Sequence, residues 1–407
     1  MITPPEAQRL IRKHSGPLGM TSVALSEALG YVLAKDVRSP APLPRFDNSA
    51  MDGFAIRSGE TRRATPERPA RFDIGKTVLA GDNRSRALAK GASCRIMTGA
   101  PLPRGADAVI PKERARVSGS TLLVGEVVDR YRHVRRRGEE IARNAVVLKE
   151  GSCIQPGSVA CLASLGRGTV RVWRKPVVSV ISTGDETVAP GRALKRGQIY
   201  DSNSYMIAAM LEQMGITPAR SRRVRDHYTA LSNAVGAALG VSDVLVVLGG
   251  VSVGDRDYVR DVLGRRRVTE VFWRIRQKPG KPIYFGVRGR RLVFGLPGNP
   301  SSAFTCFYLY VYPALCRLAG KRGDHFAGRA LPVTGQVEPD AGRWLMLKGK
   351  TRKRPRAAVD KLPRQGSHMV TSLAETDRIL VVPPRGSAAG RGQEVITVRL
   401  PYSEEDA

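Results

Sequence analysis

The sequence predicts a multidomain protein: a central α/β domain with a parallel sheet, accompanied by smaller β-rich domains. Three observations lead there. From Pro176 onwards, buried apolar runs alternate with helical segments, the signature of a parallel sheet covered by helices. The run Val244-Leu245-Val246-Val247-Leu248 is unbroken, β-branched and leucine-rich, as a strand buried on both faces requires, and it stops at Gly249-Gly250. Residues 57–137 and 327–402 hold short apolar runs punctuated by Gly and Pro, the pattern of all-β domains.

Residues 4–35 read as helix, with Pro5 in the first turn and Ala7, Leu10 and Ile11 opening an apolar face. A second helical segment is expected over Ser22 to Leu33, through Val23, Leu25, Leu29 and Val32. Pro40, Pro42 and Pro44 make a stiff extended connector. It leads to Asp47-Asn48-Ser49-Ala50-Met51-Asp52-Gly53, where small neighbours leave Asp52 within reach of a ligand. Loops of this polarity also carry plain turn chemistry.

The β-rich segment follows, with runs at Lys76–Ala80, Ser93–Met97, Ala108–Ile110 and Thr121–Val124. Within it, Thr98-Gly99-Ala100-Pro101 is a turn-rich loop. Next, Arg135-Arg136-Arg137 meets Glu139-Glu140 at Gly138, an arrangement that a surface ion-pair network also explains. Val146-Val147-Leu148 is a strand candidate, and a helix is expected from about Gln155-Pro156 to Ser164.

In the α/β segment, Val177 to Ser182 is a buried strand that ends at Thr183-Gly184-Asp185-Glu186. Asp201-Ser202-Asn203-Ser204 caps a helix whose Met206, Ile207, Met210, Leu211 and Met214 form a core stripe. Asp226 precedes a second helix, with Leu231, Val235 and Leu239 on one face. After the Val244–Leu248 strand come Gly249-Gly250-Val251-Ser252-Val253-Gly254-Asp255-Arg256-Asp257 and then apolar residues at helical spacing. A glycine loop between strand and helix suits a phosphate, because the backbone can approach it and the helix N-terminus favours negative charge. Asp255 and Asp257 would repel an anion unless a divalent cation lies between them. A structural turn with a capping Asp accounts for the same stretch.

Lys278-Pro279-Gly280-Lys281 presents two point charges on a constrained turn, suited to an oxyanion. Leu292 to Leu296 is another buried strand, followed by Pro297-Gly298-Asn299-Pro300; Asn299 as N-cap and Pro300 at the first position launch a helix towards Leu318. The last segment reads as a barrel or sandwich that carries the polar loop Gly366-Ser367-His368-Met369-Val370.

Charge sets this chain apart: 67 Lys and Arg stand against 36 Asp and Glu, a net charge of +31. Such a balance suggests polyanionic partners. The basic clusters are scattered and carry no interleaved aromatics, and no zinc-finger or RNP motif occurs, so a dedicated nucleic-acid binder is not indicated. Five cysteines without a C-x-x-C pair argue against a disulfide framework and for a reducing cytosol. The stretch from Ala303 to Cys316 is shorter than the roughly 20 residues of a membrane helix and contains Pro313, and no signal peptide is visible at Met1.

Six loops together resemble one family. Asp47–Gly53, Met97–Pro101, Ser182–Glu186, Gly249–Asp255, Lys278–Pro282 and Leu296–Pro300 occur in the order and character of the molybdopterin molybdenumtransferases, the MoeA and gephyrin E-domain family. The match runs over essentially the whole chain. The resemblance implies a homodimer of four-domain subunits. A split N-terminal domain (1–45 and 138–175) would receive a small inserted β-domain (46–137). A molybdopterin-binding α/β domain (176–322) and a C-terminal β-barrel (327–402) would follow.

The implied activity is insertion of molybdate into adenylated molybdopterin with Mg²⁺, releasing AMP and molybdenum cofactor. A molybdopterin adenylyltransferase is the implied upstream partner. Asp52, Glu186, Asp226, Asp257, Lys278 and Lys281 fall at catalytic positions by this resemblance. Thr98, Gly249, Gly250, Ser252, Gly254, Asp255, Pro297, Pro300 and Ser367 fall at substrate-binding ones, Ser367 being a residue the facing subunit could supply. Glu186, Asp257 and Glu140 are the implied metal ligands. Two positions depart from the family pattern: Glu140 stands where Asp is usual, and His227 follows Asp226 where a second Asp is common.

Two rival readings stand beside this one. One is a dimeric scaffold of the same fold that has lost catalysis, against which the retained carboxylates and lysines argue. The other is a related pterin adenylyltransferase, which would not carry both β-rich domains.

Overall fold

The structure is a computed structural model. It describes all residues except 83–86, 252–257, 326–327, 335, 353–357, 386–393 and 403–407. The chain divides into two compact units. One comprises Met1–Ala34, Gly151–Val159 and Gly168–Ala407; the other comprises Lys35–Glu150 and Ala160–Arg167.

The larger unit is built on a six-stranded mixed sheet. Its order is Arg220–Val224, Val178–Thr183, Val244–Leu248, Arg291–Leu296, Tyr284–Arg288, Thr269–Trp273. The first four strands are parallel; Tyr284–Arg288 runs against them, and Thr269–Trp273 pairs antiparallel with Tyr284–Arg288. All five residues of Val244–Leu248 are buried, as an apolar run with no alternation demands. One face packs against the helices Ser202–Glu212 and Pro4–His14 and the helical stretch from Pro300 to Leu318. The other packs against Tyr228–Val241 and Tyr258–Arg265. Ile207, Met210 and Leu211 are buried as the stripe predicts.

A second sheet of this unit closes on itself. Trp344–Arg352 pairs with Ala358–Lys361 and also with Arg378–Val382, and the ring is completed through Arg329–Thr334 and Glu394–Arg399. The result is a five-stranded barrel around Leu331, Val359, Leu380 and Val382, not a sandwich. The two-residue strand Gln277–Lys278 adds to the edge of Trp344–Arg352, in parallel.

The expected second N-terminal helix is not formed. The first helix spans Pro4–His14, with Thr3 accepting from the Glu6 backbone, and gives way at Gly16-Pro17. Met20–Ala24 is then a strand, paired antiparallel with Thr169–Trp173. A single 3-10 turn, Leu25–Glu27, follows, and Gly30 sits at φ 77°, where a helix cannot continue. The apolar spacing of Val23, Leu25, Leu29 and Val32 fitted a helix, but a partner strand distant in sequence decided the outcome.

The smaller unit holds a six-stranded sheet in the order Ala108–Pro111, Gly53–Ile56, Ala92–Ile96, Ala70–Val78, Thr121–Val124, Arg116–Ser118. Phe54, Ile56, Phe72, Ile110 and Leu122 form its core.

Candidate active site

In the larger unit the chain leaves Val178–Thr183 for the edge strand Arg220–Val224, then returns to Val244–Leu248 on the opposite side. That reversal opens a crevice beyond the carboxyl ends of the strands, where open α/β sheets bind ligands. A cleft of about 680 Å³ lies there, bordered by Thr183, Gly184, Gly249, Gly250, Pro297 and Gly298. The adjoining strand ends nearly touch. A Cβ on Gly249 would stand 3.0 Å from the Thr183 carbonyl oxygen, and one on Gly250 would stand 2.6 Å from a Val259 methyl. Both glycines have positive φ, 81° and 63°. Glycine is therefore required here, for conformation and for space.

Carboxylates gather on one wall. Glu186 folds back over Gly184, whose missing side chain leaves the room it occupies. The Asp226 backbone N–H donates to Asp185 Oδ1 at 3.3 Å. Burial raises the Asp226 carboxyl above its usual range; a hydrogen bond from Thr183 opposes this, while the charges of Asp185 and Glu186 reinforce it. Asp201 lies behind, buried and fully engaged. It accepts from Ser182 Oγ at 3.1 Å, from the Ser204 backbone at 3.0 Å and from Ser204 Oγ at 2.6 Å. Among the described residues no three carboxylates, thiols or imidazoles converge on one point.

The opposite wall is the Pro297–Pro300 loop. Asn299 occupies the N-cap of the Pro300 helix, but its side chain makes no capping bond. It donates instead from Nδ2 to Ser367 Oγ at 3.1 Å, and the Ser301 backbone N–H donates to the Ser367 carbonyl at 3.0 Å. Ser367 of the same chain thus holds this place, with His368 and Val370 beside it on the cleft wall. Asn203 Nδ2 bridges to the Gly298 carbonyl at 2.6 Å, tying the start of Ser202–Glu212 to the proline loop.

Lys278 and Lys281 are exposed, and neither borders the cleft, although Pro282 does. Their turn is fixed from beneath by Gln277, which is 0% exposed. Its Nε2 donates to the Pro279 carbonyl at 3.0 Å, and its Oε1 accepts from the Tyr310 hydroxyl.

In the smaller unit, Asp52 and Thr98 belong together. The Asp52 carboxylate accepts from the Thr98 backbone at 2.8 Å and from Thr98 Oγ1 at 2.7 Å. The backbone hydrogen bond most, then the hydroxyl and Lys112, hold the Asp52 carboxyl below its usual range. Glu140 borders a second cavity of about 630 Å³, with Arg135, Glu139, Asn48 and Ser164. Glu140 and Glu186 therefore belong to different units. Ser252, Gly254, Asp255 and Asp257 lie outside the described residues.

The structure thus brings together Glu186, Asp226, Gly249, Gly250, Pro297, Pro300 and the neighbourhood of Ser367. Sequence reasoning read Asp201-Ser202-Asn203-Ser204 only as a cap, though its Asn203 also braces the cleft. Gln277 and His368 carried no signal at all, because their roles arise from contacts across the fold.

Comparison with known proteins accounts for this arrangement. Residues 2–166 match the MoeA N-terminal region (domain I and II), residues 179–317 the probable molybdopterin binding domain, and residues 331–399 the MoeA C-terminal region (domain IV). The fold and cleft therefore define a multidomain enzyme with a molybdopterin-binding α/β domain. The chain is 33% identical to the molybdopterin molybdenumtransferase of Haemophilus influenzae over 97% of its length and 98% of that protein. It is 36% identical to the one of Staphylococcus epidermidis, over 100% of its length and 97% of that protein. A solved structure of the molybdopterin biosynthesis MoeA protein from Pyrococcus horikoshii superposes with a TM-score of 0.82 at 31% identity, covering 98% of this chain and 99% of that one. The chain belongs to the molybdopterin molybdenumtransferase family, transferases of molybdenum cofactor biosynthesis.

Proposed function

We propose that this enzyme inserts molybdate into adenylated molybdopterin, with Mg²⁺, and releases AMP and molybdenum cofactor. The observation that carries the reading is the juxtaposition of Asp226 and Glu186 with the open Gly249–Gly250 turn in one cleft. The glycines admit a phosphate group close to the backbone. Asp226, raised chiefly by burial and further by the charges of Asp185 and Glu186, suits a cation shared with Glu186. Mg²⁺ is commonly held by only one or two carboxylates plus phosphate oxygens and water, so Asp226 and Glu186 fit it in donor type and number.

Asp257 remains the further carboxylate proposed for the ion. When bound, the ion supplies neutralisation of the phosphoanhydride charge. Asn203 and Asn299 hold the proline loop that faces the pterin side of the cleft. Lys278 and Lys281 offer two charges to the molybdate oxygens. Asp52, kept ionised by Thr98, is proposed as a catalytic carboxylate.

The same reading carries the homodimer, the cytosolic setting, the four-part domain division and a molybdopterin adenylyltransferase as supplier of substrate. For the membrane the structure offers one fact: no described helix is long and apolar enough to cross one.

The test is direct. Purified protein is incubated with adenylated molybdopterin, molybdate and Mg²⁺, with AMP read by chromatography and cofactor read by activation of a cofactor-free molybdoenzyme. AMP and cofactor should appear together and require both ions. AMP release that ignores molybdate, or no cofactor at all, overturns the proposal.

A further inference from the structure

The sheet edge beside the cleft is unusually basic. Arg220–Val224 is the outermost strand, paired on one side only, and Arg220, Arg222 and Arg223 are exposed. Its register sets Arg222 opposite Ile181 and Val224 opposite Thr183, a cleft residue. Arg225 then immediately precedes Asp226 on the cleft wall. At about 3.3 Å per residue, Arg222 stands roughly 7 Å along the strand from the level of Thr183.

A second basic segment reaches the same rim. Arg192 and Arg196 lie, exposed, in the loop between Thr187–Val188 and Ile199–Tyr200. The loop is fixed to the rim at two points. The Tyr200 hydroxyl donates to the Arg192 carbonyl at 3.0 Å, and Arg223 donates to the Thr187 carbonyl. Thr187, Ile199 and Tyr200 themselves border the cleft.

None of Arg192, Arg196, Arg222 and Arg225 has a carboxylate within ion-pair distance among the described residues. Elsewhere in the unit some arginines do find partners: half-buried Arg260 with Glu270, half-buried Arg174 with Asp243 and exposed Arg343 with Asp340. Charged residues on an edge strand also discourage edge-to-edge pairing. That duty does not explain Arg192 and Arg196, which sit on a loop. The cleft adds a reason. Its carboxylates, Glu186 and Asp226, would slow the approach of any anion from solution, whereas cations around the mouth create an attractive field there.

We propose that Arg192, Arg196, Arg222 and Arg225 form an electrostatic collar that steers an anionic, pyrophosphate-bearing substrate into the cleft without contacting it once bound. The inference rests on the reading given under Proposed function and adds the route of capture. It also gives a use to part of the +31 net charge.

Steering is recognised by its salt dependence. Fields from exposed charges reach about 30 Å at 10 mM salt and about 3 Å at 1 M. The quadruple variant R192Q/R196Q/R222Q/R225Q is compared with wild type across that range in the cofactor-forming assay. A second variant, R9Q/K13Q, is the control. It alters exposed charges on Pro4–His14, the helix packed near the Leu318 end of the long helical stretch whose Pro300 end borders the cleft. The collar variant should lose about five- to twentyfold in kcat/KM at 10 mM salt, keep kcat, and converge with wild type at high salt. The control should change kcat/KM less than twofold.

A loss that persists at high salt would mean direct contact with bound substrate and overturns steering. No loss at low salt, or an equal loss in the control, overturns it as well. If wild type forms no cofactor, the functional reading fails on its own, and calorimetry with inorganic pyrophosphate decides the collar. Salt-sensitive binding that the collar variant loses supports it; salt-insensitive or absent binding overturns it.

Discussion

Asn299 Nδ2 donates to Ser367 Oγ at 3.1 Å, joining the N-cap residue of a helix of the α/β domain to a loop of the barrel. A residue placed to cap a helix has been diverted to hold the cleft wall together. Ser367→Ala should therefore cost little stability, about 0.5–1.5 kcal/mol. The loosened Gly298–Asn299 loop should raise KM for adenylated molybdopterin about three- to tenfold with kcat nearly kept. An unchanged KM would show that the bond has no part in binding.

Gly250 and Gly298 both border the cleft, yet they should fail differently. Gly250→Ala forces a side chain to φ 63° and against Val259, 2.6 Å away, and should destabilise the fold by about 1–3 kcal/mol. Gly298→Ala meets nothing nearer than Gly249 Cα at 4.0 Å. It should melt like wild type and lose substrate affinity by occupying cleft space. Thermal melts and binding titrations of the two variants separate these outcomes.

Asp226 carries a pH signature. Its folded carboxyl is raised, chiefly by burial, so the folded chain binds its proton more tightly than the unfolded chain. This contribution favours folding at low pH and is lost as pH rises from the ordinary Asp value through the raised folded one. Asp226→Asn should thus abolish cofactor formation and yet melt at the same temperature or slightly higher at pH 7. The gain is small because the partly exposed group is screened. Mg²⁺ should raise the melting temperature of wild type more than that of Asp226→Asn; equal shifts would remove Asp226 from the ion's site.

The lysine turn separates charge from scaffold. Lys281→Gln should alter stability by under about 0.5 kcal/mol while weakening apparent molybdate affinity about ten- to hundredfold, the equivalent of roughly 1.5–3 kcal/mol. Arg290→Gln, on the turn between two antiparallel strands, should do neither. Gln277→Leu strands the Tyr310 hydroxyl and frees the turn, so it should cost about 1–3 kcal/mol in folding and weaken molybdate as well. If Lys281→Gln and Arg290→Gln titrate alike, the turn does not bind the oxyanion.

Much of the fold could be read from local pattern. Val244–Leu248 showed its burial in an unbroken apolar run, and Ile207, Met210 and Leu211 showed theirs in helical spacing. Met20–Ala24 could not be read so, because its strand character comes from Thr169–Trp173, far along the chain. Local pattern left the last segment as barrel or sandwich and the family resemblance chose the barrel; closure itself rests on Trp344–Arg352 pairing on both sides.

The site followed the same division. Glycines and carboxylates at strand ends announced themselves through their positions beside apolar runs. Asn203, Gln277 and His368 did not, because an amide or imidazole acquires a role only from what the fold sets against it.

The two-residue strand Gln277–Lys278 is covalently part of the α/β domain, yet its backbone is laddered to Trp344-Leu345 of the barrel. The barrel consequently acts as a mechanical anchor for a turn it does not contain. Pulling it aside would break that short ladder and leave the Lys278 ammonium swinging on its stem. Grafting the α/β domain alone onto another scaffold would transplant the glycines and carboxylates intact and lose the lysine's aim.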